Sequence, residues 1–236
     1  MEESRILTYG ESMDILNNYG IPVAKGEVAR SPEEAIEIAR RIGYPVALKV
    51  ISLEVSHKTE ARAIKLDVKS DSELSKAYLE VTDNLRKYDS KAAITGVLIQ
   101  EMLKNGTEVI VGISRDPQFG PVILFGLGGV FVEVLRDVSL RVLPITRYDA
   151  DQMIKEIKGY RILEGFRERP RADVEAITNI LLKVSKLSMD LEDSILEMDL
   201  NPVIVQSDAN GAKVVDVRIV VPKSVQSGEP IRREVS

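Results

Sequence analysis

GYPVALKVISLEVSHKTEARAIKLDV, residues Gly43–Val68, is the stretch whose reading decides how the rest of the chain folds. Its VALKV segment is β-branched and apolar around Lys49, and Gly43 and Pro45 punctuate it as a buried strand is punctuated. Its last part, AIKLDV, alternates apolar and charged residues, the period-two pattern of a half-buried strand. Between them lie Ser52, Ser56, Lys58 and Thr59, with the chain's one histidine, His57. A lysine on a rigid strand facing a loop of small or basic donors suits the phosphates of a nucleotide triphosphate. A surface hairpin with a long loop fits equally, since no fixed-spacing motif is present.

Upstream, Thr8–Tyr19 has the periodicity of a helix that Gly20 ends, and IPVAKGEVA reads as a strand. Ser31, Pro32 and Glu34 mark a helix start, and Ser70 with Glu73 repeats the capping spacing before a second long helix. The first hundred residues therefore form a compact α/β unit. From Gly96 the texture changes to five short β-rich runs: GVLIQEML, TEVIVGISRD, PVILFGLGG, VFVEVL and LRVLPI. Helical patterns follow over Tyr148–Gly159 and Asp173–Met189, then two strands joined at Asn210-Gly211. The organisation expected is α/β with two lobes, over residues 1–95 and 96–222, and a flexible tail over 223–236. The cleft between the lobes is the default ligand site.

Bulk numbers exclude several classes. A chain of 236 residues with 44% hydrophobic and 29% charged residues is ordinary for a soluble globular protein. A net charge of -5 argues against nucleic acid as a partner. The absence of cysteine excludes disulfides and thiolate metal sites. No apolar run approaches the roughly 20 residues of a membrane span, so no membrane association and a cytoplasmic location are expected.

Five groups carry candidate chemistry. Glu101 and Met102 stand on a short linking strand whose backbone groups suit an adenine edge, with methionine a soft surface against the ring. Glu108, on the next strand, suits ribose hydroxyls or is simply a solvated strand residue. Asp199 and Asn201 are two apart and share a strand face, and the Asn210-Gly211 hairpin can bring Asp216 opposite Asn201. Such oxygen ligands on one hairpin suit magnesium, the alternative being a surface hairpin. GLGG, with Gly126, Gly128 and Gly129, lacks a strand-to-helix context, so close backbone approach or a turn is its expected purpose. Arg115, Arg141 and Arg167 are candidate anion contacts. His57 is either structural or, in a loop that covers phosphates, a nucleophile for a phosphoryl group.

Taken together, YPVALKV, SHKTEARAIKL, the long run through DPQFGPVILFGLGGVFVEVLRD, and MDLNPVIV closely resemble the β subunit of ADP-forming acetyl-CoA synthetases. These are nucleoside-diphosphate-forming acyl-CoA synthetases with a two-lobed ATP-grasp fold, more distantly related to succinyl-CoA synthetase. The resemblance covers about Glu11 to Val221. It implies an enzyme that makes ATP from acyl-CoA, ADP and phosphate, reversibly and only with an α subunit that carries the CoA and acyl-phosphate chemistry. An assembly of two α and two β chains goes with it. Carried over, Lys49, Lys58 and Thr59 contact nucleotide phosphates, and Glu101, Met102 and Glu108 hold adenine and ribose. Asn201 and Asp216, with Asp199 beside them, bind Mg2+, and His57 relays the phosphoryl group from an α-subunit phosphohistidine to ADP. A succinyl-CoA-synthetase-like ligase subunit and a nucleotide-sensing regulatory ATP-grasp module are the alternatives. The chain departs from the family pattern where Arg62-Ala63 replaces Gly-Gly and where Arg167-Glu168 replaces Arg-Gly, which bears on nucleotide grip, docking and lid closure.

Overall fold

A computed structural model describes residues 3–52, 61–129, 137–166, 170–207, 209–226 and 231. The chain divides into a smaller unit, Ala24–Lys104, and a larger one that joins Met1–Val23 to Asn105–Ser236.

The chain opens in the larger unit with β1 (Ser4–Ile6) and α1 (Tyr9–Asn18). Thr8 caps α1 in a capping box with Glu11, so two orphan backbone donors are satisfied at once. The smaller unit follows as β2 (Gly26–Ala29), α2 (Pro32–Ile42), β3 (Val46–Ile51), β4 (Ile64–Val68), α3 (Asp71–Tyr88) and β5 (Gly96–Glu101). Ser31 and Ser70 accept the N–H groups of Glu34 and Glu73, as their spacing predicts; each such cap is worth about 1 kcal/mol. The strands form an antiparallel sheet in the order β2-β5-β3-β4. Val46, Leu48, Val50, Val97 and Ile99 join Ile38, Leu74 and Val81 of the helices in one buried core. Alternation along the strands leaves Ala47, Lys49, Leu98 and Gln100 on the face away from that core.

The larger unit continues with β6 (Thr107–Asp116), β7 (Gly120–Leu127), β8 (Val138–Val142), α4 (Arg147–Glu156), α5 (Tyr160–Leu163) and α6 (Val174–Asp190). It closes with β9 (Glu197–Val205), β10 (Ala212–Val214) and β11 (Val217–Pro222). Among the described residues its seven strands run antiparallel in the order β1-β11-β9-β6-β7-β8, with β10 also on β9. One face packs Val111, Ile123, Phe125 and Leu200 against Met153, Ile154 and Leu181 of α4 and α6.

Three expectations are corrected here. The break does not fall at 95/96, because β5 pairs with both β2 and β3 and is the centre of the smaller sheet; the division comes at Lys104/Asn105. IPVAKGEVA is not one strand: Val23 bridges Val214 in the larger unit, and only Gly26–Ala29 pairs with β5. The tail is not loose at its start, since Lys223 donates its N–H to Glu3 and Arg5 donates Nε–H to the carbonyl of Val225 at 2.8 Å. VFVEVL lies outside the described residues, apart from which each β-rich run holds a strand.

Candidate functional site

In the smaller unit, Lys49 sits mid-strand on β3, paired with Leu98 on one side and Ile64 on the other, and is only 6% exposed. A buried ammonium is tolerated only where it is paired or hydrogen-bonded. Glu101 ends β5: its N–H donates to the carbonyl of Lys25 at 2.9 Å, and its Oε1 accepts the N–H of Lys25 at 2.7 Å. That double tie fixes the point from which half-buried Met102 leaves the sheet. Ser56, His57, Lys58 and Thr59 lie outside the described residues, as do Arg167 and Glu168. Just past that loop, Arg62 has φ +50, so the chain keeps at an arginine the left-handed conformation that a glycine would adopt without strain.

In the larger unit, Val109, Val111, Val203 and Val205 face the core, which leaves Glu108, Ile110 and Ile204 on the opposite face of the sheet. Glu108 pairs with Ile204 across β6 and β9. The register slips between Val109 and Val111, opposite the segment that holds Asn201 and Pro202. Asn201 donates its N–H to the carbonyl of Asp216 at 3.1 Å, so Asp216 does lie opposite Asn201. Asp216 is held by accepting the N–H of Val217 at 3.0 Å on Oδ1.

Electrostatics single out this corner. Asp199 reaches solvent, yet desolvation and then the charge of Asp216 raise its carboxyl above the ordinary range, against the opposing pull of Arg218 and a hydrogen bond with Asn201. Burial and the Asp216 charge push the Tyr9 hydroxyl up to about 12. Among the described residues no three His, Cys, Asp or Glu side chains cluster as a metal site on their own. The set is instead two crowded carboxylates and an amide, hard oxygen donors of the kind that would suit a magnesium ion.

The glycines of GLGG act as expected. Gly128 donates its N–H to the carbonyl of Glu108 at 2.8 Å, and a Cβ on Gly128 would stand 3.1 Å from that of Glu108. Gly129 adopts φ +65, with Glu108 Oε2 3.1 Å from where its Cβ would be. Two expected anion contacts are engaged elsewhere: Arg115 donates to the carbonyl of Glu192, and Arg141 pairs with Glu156. Sequence reasoning missed Ile110, Ile204 and Tyr9. Ile110 is two residues from Glu108 on one strand, a spacing that places it on the same face. It also missed Asp173, which caps α6 through Ala176 and accepts the N–H of Gly211 at 2.9 Å, tying the β9–β10 turn to the helix.

The ATP-grasp domain family matches residues 1–221, so the chain belongs to the ATP-grasp family. Acetate–CoA ligase (ADP-forming) II subunit beta from Pyrococcus furiosus is 52% identical over 211 residues, 89% of each chain. This similarity puts the chain in the line of ADP-forming acetate–CoA ligase β subunits. A solved acetyl-coenzyme A synthetase from Ca. Korarchaeum cryptofilum, with coenzyme A, Ca-AMPCP and HgCl+, is 45% identical. It covers 92% of this chain and 93% of its own, with a TM-score of 0.88. The same protein with coenzyme A and Mg-AMPPCP, its phosphohistidine segment pointing towards the nucleotide binding site, is 43% identical over 91% and 92%, with a TM-score of 0.77. No helix among the described residues is long and apolar enough to cross a membrane.

Proposed function

We propose that the chain is the nucleotide-binding β subunit of an ADP-forming acetyl- or acyl-CoA synthetase that works with an α subunit to make ATP, free acid and CoA from acyl-CoA, ADP and phosphate, reversibly. The observation that carries this reading is the outer sheet face of the larger unit, where Glu108 and the apolar pair Ile110 and Ile204 lead to Asn201, Asp199 and Asp216. A nucleotide needs that sequence of surfaces: hydroxyl acceptors, an apolar bed and a cation site for its phosphates.

Lys49 contacts the phosphates, and Glu101 and Met102 receive the base. Glu108 accepts the ribose hydroxyls and is kept in place by Gly128. Asn201 and Asp216, with Asp199 beside them, hold Mg2+, which supplies neutralisation of phosphate charge. Lys58 and Thr59 add phosphate contacts, and His57 carries the phosphoryl group. Its imidazole takes phosphorus from the α-subunit phosphohistidine as that N–P bond breaks; a β-phosphate oxygen of ADP then displaces it, leaving ATP and neutral His57. Passage between two imidazoles keeps the group from water across a subunit boundary. Two α and two β chains make up the assembly.

The test is reconstitution with an α subunit. ATP should form from acetyl-CoA, ADP and phosphate, whereas the chain alone should bind ADP without turnover. His57→Ala should abolish turnover while ADP affinity stays within about twofold, well short of the ~1.4 kcal/mol of a tenfold change. Full turnover by His57→Ala would overturn the relay, and ADP binding with no turnover beside any α subunit would identify a sensing module instead.

A further inference from the structure

Arg62 carries a cost that its surroundings hold in place. Its φ of +50 is the region that a residue with a Cβ avoids and a glycine does not. The backbone there is fixed from both sides. Ala61 and Ala63 are buried in the smaller unit's core, and the carbonyl of Ala63 accepts the N–H of Val50 at 3.0 Å. The carbonyl of Arg62 itself accepts Nδ2–H of Asn84 at 2.9 Å. The guanidinium, by contrast, is exposed and makes no hydrogen bond or ion pair among the described residues. Strain kept where the fold over-determines it is a pointer to use rather than to stability.

Position gives that use. Ile64 is the cross-strand partner of Lys49, and Arg62 lies in the turn two residues before it, next to Ala63, whose carbonyl is bound to Val50 beside the lysine. The arginine is thus exposed on a fixed backbone in the turn that adjoins the lysine's strand. A planar fork of donors with no acceptor among the described residues is suited to phosphate oxygens, which it can hold in pairs. We propose that Arg62 is an anion contact for the phosphate groups of the bound nucleotide, a second positive charge beside Lys49. The proposal rests on the assignment of Lys49 to those phosphates.

The experiment is calorimetric titration of the full chain with MgATP and, separately, with adenosine, alongside thermal melts. The variants are Arg62→Gly, Arg62→Asn and Arg62→Lys. Glycine and asparagine both tolerate the left-handed backbone and remove the charge. Both should weaken MgATP binding by roughly tenfold, the scale of one lost charge-assisted phosphate contact, and both should melt at or above the wild-type temperature. Arg62→Lys keeps the charge but loses the fork, so its affinity should fall between wild type and the uncharged variants, by about threefold. Adenosine, which has no phosphates, should bind all four proteins alike. Wild-type MgATP affinity in the glycine and asparagine variants would overturn the role of Arg62 alone. Parallel loss of adenosine binding would do so too, by showing a structural defect. Failure of the wild-type chain to bind MgATP would overturn the Lys49 assignment along with it.

Discussion

In the smaller unit, the charge proposed to meet a ligand is an ammonium in the middle of a sheet, with strands paired on both sides and 6% exposure. In the larger unit it is a pair of carboxylates near a slip in strand register, Asp199 in solvent and Asp216 half-buried. The difference follows from what each must meet. Under the proposed function the lysine meets phosphate directly, through a charge-assisted hydrogen bond that needs no other component. Two carboxylates that crowd one another, one of them disfavoured as a charge by desolvation, gain most from a cation. The proposed function therefore has the smaller unit contribute affinity that is independent of metal, and the larger unit affinity that magnesium switches on.

Replacing the lysine attacks the first half of that contrast. Lys49→Met keeps the aliphatic length and should weaken ATP binding by about 100-fold, the ~2–3 kcal/mol of a strong charged hydrogen bond, whether or not magnesium is present. Titration calorimetry with and without EDTA checks it; a loss confined to the magnesium-loaded case would show that the lysine's contribution depends on the metal.

A smaller effect tests how rigidly the lysine's sheet is built. Gly96 opens β5, and a Cβ there would stand 2.5 Å from Cγ1 of Val28 and 2.9 Å from the carbonyl oxygen of Ala29. Gly96→Ala should destabilise the smaller unit by about 2 kcal/mol, measured as a lower urea midpoint. An unchanged midpoint would show that the strand pair yields more readily than the contrast requires.

The smallest effect is in pH. In the smaller unit, hydrogen bonds from Arg40 and then Tyr44 hold the Asp71 carboxyl below the ordinary carboxylate range. Its contribution is complete above the unfolded value near 4 and is lost as pH falls through the lower folded value. Asp199 has the opposite sign: its folded value is raised, so stability increases as pH falls through the folded value towards the unfolded one. Urea unfolding between pH 3 and 7 should show less acid loss in Asp71→Asn than in wild type. Asp199→Asn should be the more stable protein at neutral pH, and matching pH slopes in the two variants would remove the distinction between the regions.

Local chemistry was legible in the sequence, and long-range pairing was not. Ser31 and Ser70 announce their helices because a cap acts within one turn, and GLGG announces close approach because the constraint is a missing Cβ. The place of β5 could not be read the same way. GVLIQEML is equally apolar whether it pairs with VALKV or with TEVIVGISRD, and only the sheet decides, so the boundary moved to Lys104/Asn105. Nor does anything near residue 4 predict that β1 pairs with β11, where Ser4 meets Pro222. The hairpin holding Asp199, Asn201 and Asp216 was readable from its turn, while Tyr9, which comes near Asp216 from the other end of the chain, was not. Arginines misled because their partners, Glu192 and Glu156, lie far along the chain.

Magnesium-linked ADP binding tests the central claim most directly. Wild-type chain should bind ADP about tenfold more tightly with magnesium than with EDTA, the scale of one metal-bridged phosphate contact, and Asp216→Ala should erase that gap while leaving metal-free affinity unchanged. A gap of wild-type size in Asp216→Ala, or ADP affinity indifferent to magnesium in the wild-type chain, would contradict a cation site on that hairpin and the nucleotide-binding role built on it.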